Sequence, residues 1–242
     1  MKFLSIIPAR GGSKGIPGKN IYPLCGKPLL GWSIEASLGS SFITRTIVST
    51  DDENIAKIAL DLGAEVPFLR PVELAQDNTP TLSVLQHVVK YLNDEEGWSP
   101  DAIITLQPTS PLRTSKDIDS AVKLFLSDPE AESLVSCIEV PHIFHPTSIM
   151  KVSQQGYLEN FMQGDQPTRR QDKTHVLARN GAAIYITRLN CLDKFVWGGN
   201  AIAYVMNEEG SVDIDCAEDL KIAESYLLRR KQNDGIAFEQ SE

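Results

Sequence analysis

The sequence lacks any uninterrupted apolar run of the ~20 residues that a membrane-spanning helix needs. Its opening residues, MKFLSIIPAR, are interrupted by proline and arginine too early for a secretory signal. We therefore expect no membrane partner and a cytoplasmic location.

Cysteine is scarce, and its spacing argues against two kinds of site. The cysteines lie far apart and form no C-x-x-C pair: Cys25, Cys137, Cys191 and Cys216. This pattern suits neither a disulfide framework nor a zinc site. His142 and His145 are close in sequence, but no partner motif supplies the further ligands that zinc requires.

An excess of positive charge is also absent, since the formal net charge is −9. Nucleic acid, which needs a broad basic face, is therefore not expected as a partner. Against this acidic background, Arg10, Lys14 and Lys19 cluster with four glycines in IIPARGGSKGIPGKN, residues 6–20. A compact anionic ligand would explain such a local cluster.

This opening loop matches no standard glycine-rich nucleotide motif. A P-loop fails because Ser13 occupies the first glycine position and Asn20 replaces the hydroxyl residue that holds magnesium. The dinucleotide motif G-x-G-x-x-G is missing, as is the G-x-S-x-G of serine hydrolases. The physical features of a phosphate site remain, because consecutive glycines let backbone amides approach phosphate oxygens and a helix follows. The alternative is a tight turn with solvated cations.

Predicted strands alternate with predicted helices, which indicates an α/β fold with a mainly parallel sheet flanked by helices. EVPFLRP and SVDID are both interpreted as short strands. Ligands of such sheets bind beyond the carboxyl ends of the strands, where the opening loop, STDD and LQPTSPLR are placed. We predict a single domain over residues 1–232, with 141–174 as an inserted arm, and a flexible tail over 233–242.

Two carboxylate pairs are candidates for a divalent-metal site. Asp213 and Asp215 would share one face of a strand and could bind Mg²⁺ or Mn²⁺, although an exposed polar strand face is the alternative. Asp51 and Asp52 are adjacent, so their side chains would point to opposite faces of a strand. We interpret Asp51 instead as the cap of the helix that begins near residue 53.

A polar loop follows the predicted strand DAIIT. The amide of Gln107 can both donate and accept, as recognition of hydroxyls or a carboxylate demands. Arg113 either contacts a ligand or caps carbonyl groups of its own loop, and the sequence favours neither role.

The motif IIPARGGSKGIPGKN resembles the signature of the CMP-sialic acid synthetases, nucleotidyltransferases that activate acidic sugars with CTP. The resemblance extends through LRPVELAQDNTPTLSV, LQPTSPLR, RRQD, RNGAAIYI and SVDID, and so covers nearly the whole chain. It implies a Rossmann-like nucleotidyltransferase fold. It also implies transfer of CMP from CTP to a sialic-acid-like nine-carbon keto sugar acid, with release of pyrophosphate.

The same resemblance implies roles for individual residues. Its nucleotide-binding positions are Arg10, Gly11, Gly12, Ser13, Lys19, Asn20, Arg70 and Thr81. Its sugar-binding positions are Gln107, Arg170 and Tyr185. Its catalytic positions are Arg10, Lys19, Asp213 and Asp215, and the last two hold the metal. Arg70 has an alternative role as a surface ion-pair partner.

Two departures from the family pattern fall on the sugar side. The family commonly reads NGAIY where this chain has NGAAIY, and HPTSIMKV offers no match for the lysine usually found in the arm. Legionaminate, pseudaminate and 3-deoxy-octulosonate are therefore alternative substrates. Outside this class, the alternatives are a dinucleotide-dependent oxidoreductase, disfavoured by the missing glycine motif, and a nucleotide sensor, disfavoured by the full set of catalytic positions.

The predicted arm carries apolar side chains that it could not bury alone. They are Ile143, Phe144, Ile149, Tyr157, Phe161 and Met162. Related synthetases are dimers in which this arm crosses to the neighbouring subunit and helps to complete the sugar site. The resemblance therefore implies a two-fold homodimer, and the alternative is an arm that folds back onto its own domain.

Overall fold

The computed structural model describes residues 1–13, 15–162 and 174–233. The strands within these ranges are β1 (Phe3–Pro8), β2 (Pro23–Leu24), β3 (Lys27–Pro28), β4 (Ile43–Ser49), β5 (Ala102–Thr105), β6 (Ser133–Glu139), β7 (Met150–Val152), β8 (Leu158–Asn160), β9 (Leu177–Arg179), β10 (Tyr185–Arg188) and β11 (Ala201–Val205). The α-helices are α1 (Leu29–Leu38), α2 (Glu53–Asp61), α3 (Thr81–Glu96), α4 (Ser115–Ser127) and α5 (Ala217–Asn233).

Seven of the described strands form one central sheet in the order β11-β6-β10-β5-β1-β4, with β9 also paired to β6. β4, β1 and β5 are parallel neighbours, and β11 is parallel to β6. β10 runs antiparallel between β5 and β6, and β9 is antiparallel to β6. The predicted mainly parallel sheet is thus confirmed. The carboxyl ends of β1, β4 and β5 meet at one edge, where the three polar loops begin.

Strand β1 shows how the two faces of the sheet are covered. Its side chains alternate, so Phe3 and Ile7 pack with residues of α1 and α4 on one face. Leu4 and Ile6 pack with residues of α3 on the other face. Each of these buried side chains contributes roughly 1.5–3 kcal/mol to folding. A strand buried on both faces provides a rigid base for the loop that follows it.

The prediction of a strand at EVPFLRP is wrong. Only Glu65 pairs with the sheet, as an isolated bridge to Ile47. Pro67 follows two residues later and has no N–H group with which to continue the ladder.

The prediction of a strand at SVDID is also wrong. Glu209–Ser211 forms a 3₁₀ turn, and the next residues are irregular. The backbone of Ile214 bonds to two loops instead of a strand. Its N–H donates to the carbonyl oxygen of Thr109 at 2.8 Å, and its carbonyl accepts from Lys19 Nζ at 2.8 Å.

The described part of the predicted arm, residues 141–162, contains two 3₁₀ turns and the β7–β8 hairpin. Residues 163–173 of the arm and 234–242 of the predicted tail lie outside the described residues, and residue 233 still belongs to α5. The inserted dimerisation arm therefore stays a prediction.

The cysteines are free thiols. Among the helices of the described ranges, none combines the length and the apolar character needed to span a membrane.

Candidate active site

Two cavities adjoin at the edge of the sheet where β1 and β5 end. The first has a volume of about 380 Å³, and its wall includes the opening loop, residues 70–81 and Asp215. The second, of about 390 Å³, is lined by residues of β9, β10 and the segment near Trp197. Thr81 and Gln107 belong to both walls, so two ligands could meet there.

The first cavity brings together most of the predicted nucleotide-binding residues. Its wall contains Arg10, Gly12, Ser13, Lys19, Asn20, Arg70 and Thr81. Gly11 does not line it, because its amide points away and donates to Asp51 Oδ1 at 3.0 Å. Lys14 lies outside the described residues.

The turn at Gly11 depends on the neighbouring STDD loop. A Cβ atom at position 11 would lie 2.8 Å from Asp52 Oδ2, so this close approach requires glycine. Asp52, and not Asp51 as predicted, caps α2, because its carboxylate accepts from two amides of the first helical turn. Asp51 instead accepts a hydrogen bond from the backbone N–H of Gly11, and Asn20 Nδ2 donates to the carbonyl of Arg10 at 2.8 Å. These contacts fix the path of the opening loop.

Carboxylates hold the two described cations of this loop. Arg10 Nη1 lies 2.6 Å from Asp77 Oδ1, and the Arg10 side chain is 32% exposed. Lys19 is only 15% exposed, with its Nζ 3.6 Å from Asp215 Oδ1. Both cations therefore face the first cavity in defined positions, and an incoming anion would compete with Asp77 and Asp215 for them.

Arg70 is buried and is not the surface ion-pair partner considered above. Its guanidinium donates to the side chain and carbonyl of Ser49 and, at 3.4 Å, to the carbonyl of Leu74. Burial lowers its pKa to about 10, opposed by the charge of Asp51, so it stays protonated at neutral pH. It is a fixed positive charge in the wall, between β4 and the segment that follows it.

Asp213 and Asp215 lie beside each other in space, although they are not on a strand. Asp213 packs on Gly181, where an added Cβ would lie 2.2 Å from Asp213 Oδ2. Burial raises the pKa of Asp213, a hydrogen bond from Thr109 opposes the rise, and the charge of Asp215 adds to it.

The residues fit a divalent cation. Asp213 Oδ1 is buried and has no hydrogen-bond partner among the described residues, while Asp215 presents an exposed carboxylate. No group of three or more His, Cys, Asp and Glu side chains in the described ranges is arranged for a metal. A Mg²⁺ ion here would therefore rely on two carboxylates, phosphate oxygens and water, which is its usual coordination in nucleotide sites.

The second cavity contains the predicted sugar-site residues Gln107 and Tyr185. Burial raises the pKa of Tyr185, and the neighbouring guanidinium of Arg179 opposes the rise. The Arg179 guanidinium lies over the Trp197 ring, 4.5 Å from its centroid. Arg170 lies outside the described residues.

Arg179 and Trp197 are the functional candidates that the sequence reasoning missed. Arg179 directly precedes the NGAAIY motif, and that position could have singled it out. Trp197 has no comparable signal, because its place beside Arg179 depends on the packing of distant segments. Together they give the second cavity a cation and an aromatic surface.

Arg113 has the structural role left open above. It is 2% exposed, and its Nη1 donates to the carbonyl of Ser110 at 2.8 Å while Nη2 donates to Ser33 Oγ at 2.6 Å. It caps its own loop behind the two cavities and does not line either of them.

The fold and the site together define a nucleotidyltransferase. The sheet is open and mainly parallel, a cationic glycine loop follows its first strand, and the carboxylate of Asp215 lies beside Lys19 of that loop. A solved CMP:2-keto-3-deoxy-manno-octonic acid synthetase complexed with CTP has the same fold, with a TM-score of 0.70 and 18% identity. That comparison covers 95% of this chain and 100% of the solved one.

The cytidylyltransferase family model matches residues 4–233, and the chain belongs to this family. It is 34% identical to the N-acylneuraminate cytidylyltransferase of Escherichia coli O18:K1:H7 over 96% of its length, but covers only 53% of that relative. It is 32% identical to the pseudaminic acid cytidylyltransferase of Campylobacter jejuni, covering 98% of this chain and 100% of that protein. This chain thus spans about half of the first relative and all of the second.

The contact between Gly181 and Asp213 generates a stability prediction. Gly181 has a φ of 72°, so Gly181→Ala combines a left-handed backbone cost of roughly 1–2 kcal/mol with a collision that costs a further 1–3 kcal/mol or so. The free energy of unfolding, measured in urea, should fall by the sum of these two costs. Gly97→Ala is the matched control, because Gly97 has a φ of 62° and nothing lies within 4 Å of its added Cβ. Equal losses in the two variants would contradict the packing described here.

Proposed function

We propose that this protein transfers CMP from CTP to a sialic-acid-like nine-carbon keto sugar acid and releases pyrophosphate. The observation that carries the proposal is the pair of adjoining cavities that share Thr81 and Gln107. One cavity has the cations of a phosphate site, and the other offers polar and aromatic groups for an acidic sugar. Membership of the cytidylyltransferase family supports this function and disfavours the oxidoreductase and nucleotide-sensor alternatives.

The first cavity would bind CTP. Arg10 exchanges Asp77 for a phosphate oxygen, and Lys19 neutralises charge from its fixed position near Asp215. Gly12 and Ser13 bring the backbone of the opening loop to the triphosphate, while Gly11 and Asn20 maintain its conformation. Arg70 and Thr81 belong to the same wall, and the family resemblance implies that they approach the cytosine ring.

Mg²⁺, or Mn²⁺, is the cofactor we propose, held by Asp213 and Asp215. The unpartnered Oδ1 of Asp213 and the neighbouring Asp215 carboxylate support this assignment. When bound, the ion supplies positive charge to the phosphate oxygens around the reacting phosphorus. Lys19 contributes to the same end from the protein.

The second cavity would orient the sugar acid so that its anomeric hydroxyl faces the α-phosphate. In-line attack by this hydroxyl forms the new oxygen–phosphorus bond as the bond to pyrophosphate breaks, and the hydroxyl proton is released. Gln107 stands at the junction and can hydrogen-bond sugar hydroxyls, and Tyr185 lines the wall beyond it. Arg179 offers a guanidinium for the carboxylate in addition to Arg170.

The NGAAIY departure bears on the choice of sugar. Ala182 has a φ of 63°, an uncommon conformation for a residue with a side chain, and its carbonyl accepts from the backbone N–H of Gln107 at 3.2 Å. The departure therefore lies against the residue shared by both cavities. Pseudaminate and legionaminate remain the closest alternatives to a sialic acid, as the names of two relatives suggest.

The free cysteines fit the reducing cytoplasm, which we propose as the location of the protein.

A substrate panel tests the proposed function. With CTP and Mg²⁺, pyrophosphate release should require a keto sugar acid and should be fastest with one of the nine-carbon acids N-acetylneuraminate, pseudaminate or legionaminate. Arg10→Ala should lower kcat/KM for CTP by roughly 10- to 100-fold, because a hydrogen bond to a charged group contributes about 1.5–3 kcal/mol. Arg229→Ala removes an exposed arginine elsewhere and should leave the rate unchanged. Absence of pyrophosphate release with every acid would refute the proposal.

We further propose that the protein is a homodimer formed through residues 141–162 and the rest of the predicted arm. The described part exposes large apolar side chains: Ile143, Phe144, Val152, Tyr157, Leu158 and Phe161. Phe144 is 62% exposed and Tyr157 is 73% exposed, and the β7–β8 hairpin lies outside the central sheet. A two-fold partner would bury this surface in a self-complementary contact.

Light scattering tests the assembly. The full chain should have about twice its 26.7 kDa mass at micromolar concentration. Phe144→Asp combined with Tyr157→Asp should give a folded monomer, because buried charges without partners destabilise an interface. Leu60→Asp, which changes an exposed leucine on α2, should remain dimeric. A monomeric full chain would end the dimer proposal.

A further inference from the structure

The two carboxylates of the proposed metal site are held in different ways. The Asp213 side chain packs on Gly181 and accepts a hydrogen bond from Thr109. The Asp215 side chain is 83% exposed, and its Oδ1 lies 3.6 Å from Lys19 Nζ. A side chain as exposed as this is not fixed by packing, so the position of the Asp215 carboxylate depends on how firmly its backbone is held.

Asp219 bonds to that backbone. It is the third residue of α5, which begins at Ala217. Its Oδ2 accepts from the backbone N–H of Asp215 at 2.9 Å and from that of Cys216 at 2.9 Å. A carboxylate at the third helical position that reaches back to the residue before the helix is one half of a capping box. In this protein the cap extends one residue further and includes Asp215.

A hydrophobic cluster anchors the base from which Asp219 extends. Ile214, which lies between the two carboxylates, and Leu220, which follows Asp219, are buried in the same cluster. That cluster also contains Ile16 of the opening loop and Leu112 of the loop after β5. The start of α5 is therefore fixed relative to both loops, and the hydrogen bonds of Asp219 extend this fixed arrangement to Asp215.

Asp219 also brings a third negative charge to this turn. The backbone hydrogen bonds from Asp215 and Cys216 lower its pKa, and the charge of Lys19 lowers it further, so Asp219 is ionised at neutral pH. Burial raises the pKa of Asp213, and the charge of Asp219 adds a smaller part. Asp219 can therefore act on the site through its charge as well as through its hydrogen bonds, and a test must separate the two.

From these contacts we propose that Asp219 is a positioning residue for the divalent cation, which holds the Asp215 carboxylate beside that of Asp213 by bonding to the Asp215 backbone. The inference rests on the proposed metal site and does not make Asp219 a ligand. Mg²⁺ demands near-ideal coordination geometry, so a displaced carboxylate binds it poorly. Residues that orient metal ligands typically account for 10- to 100-fold in metal affinity.

Two substitutions separate position from charge. Both backbone amides bond to a single oxygen of Asp219, so Asp219→Asn keeps an acceptor for them while it removes the charge. Asp219→Ala removes the acceptor and the charge together. A positioning role predicts that the alanine variant binds the cation poorly and the asparagine variant binds it well, whereas a purely electrostatic role predicts equal losses.

Binding of Mn²⁺ alone, measured from the electron paramagnetic resonance signal of the free ion, tests the proposal without CTP, sugar or turnover. Mn²⁺ prefers the same oxygen ligands as Mg²⁺. Asp219→Ala should weaken binding about tenfold or more, and Asp219→Asn by less than about threefold. Unchanged affinity in Asp219→Ala, or equal losses in the two variants, would overturn the inference. A tenfold loss in Asp219→Asn would overturn it even if the alanine variant did not fold.

Asp215→Asn distinguishes failure of this inference from failure of the metal site itself. It should weaken Mn²⁺ binding about tenfold or more, because it removes the charge of a proposed ligand. If the full chain binds no Mn²⁺, or if Asp215→Asn binds it as tightly as the full chain, the metal assignment fails and the inference fails with it. If Asp215→Asn loses binding but Asp219→Ala does not, only the inference fails.

Asp117 offers a matched control for the loss of a helix cap. It occupies the third position of α4, and its Oδ2 accepts from the backbone N–H of Thr114 at 2.9 Å. Asp117→Ala and Asp219→Ala should both unfold cooperatively at a lower urea concentration than the full chain, because each loses a capping carboxylate. Only Asp219→Ala should lose affinity for Mn²⁺. An equal loss in Asp117→Ala would attribute the effect to general destabilisation and overturn the positioning role.

Discussion

The site depends on one short segment, residues 213–215, being held against three loops at once. The backbone of Ile214 accepts from Lys19 and donates to Thr109, while Asp213 packs on Gly181. A Cβ at Gly15 would lie 2.8 Å from the carbonyl oxygen of Asp215, so the opening loop also fits closely around the segment. Because these contacts join residues nearly 200 positions apart, the two cavities cannot be built independently of each other.

The charges of the site follow from the same arrangement. Arg10 and Lys19 are both positively charged, and their ion pairs with Asp77 and Asp215 hold them in place. Both cations can still exchange these carboxylates for an anion with more negative charge. Asp213 differs, because it is buried and lacks a partner for Oδ1. An acidic protein can thus combine a cationic loop with two neighbouring carboxylates, one of them in the wall of the first cavity.

Local features were predictable from the sequence, and non-local ones were not. The opening loop was recognisable because its glycines and cations lie together in the chain, and Gln107 because it follows a buried strand. The two failures at Glu65 and Ile214 have a common cause, since alternation predicts a strand only when a neighbouring strand takes its backbone bonds. Arg179 and Trp197 meet only after folding. The cap of α2 is Asp52 and not Asp51, because either aspartate has the side chain that a helix cap requires.

We propose that the carboxylates of this segment support cytidylyl transfer between the two cavities. This role is tested by the rate of CMP-sugar formation from CTP, measured as Mg²⁺ is titrated, in the full chain and in Asp215→Asn. We expect no product in excess chelator and full recovery with Mg²⁺. The variant, which keeps the size of the side chain but removes its charge, should need about tenfold more Mg²⁺ or remain slow at saturation. Undiminished product formation in chelator, or identical Mg²⁺ dependence in the two proteins, would contradict the account.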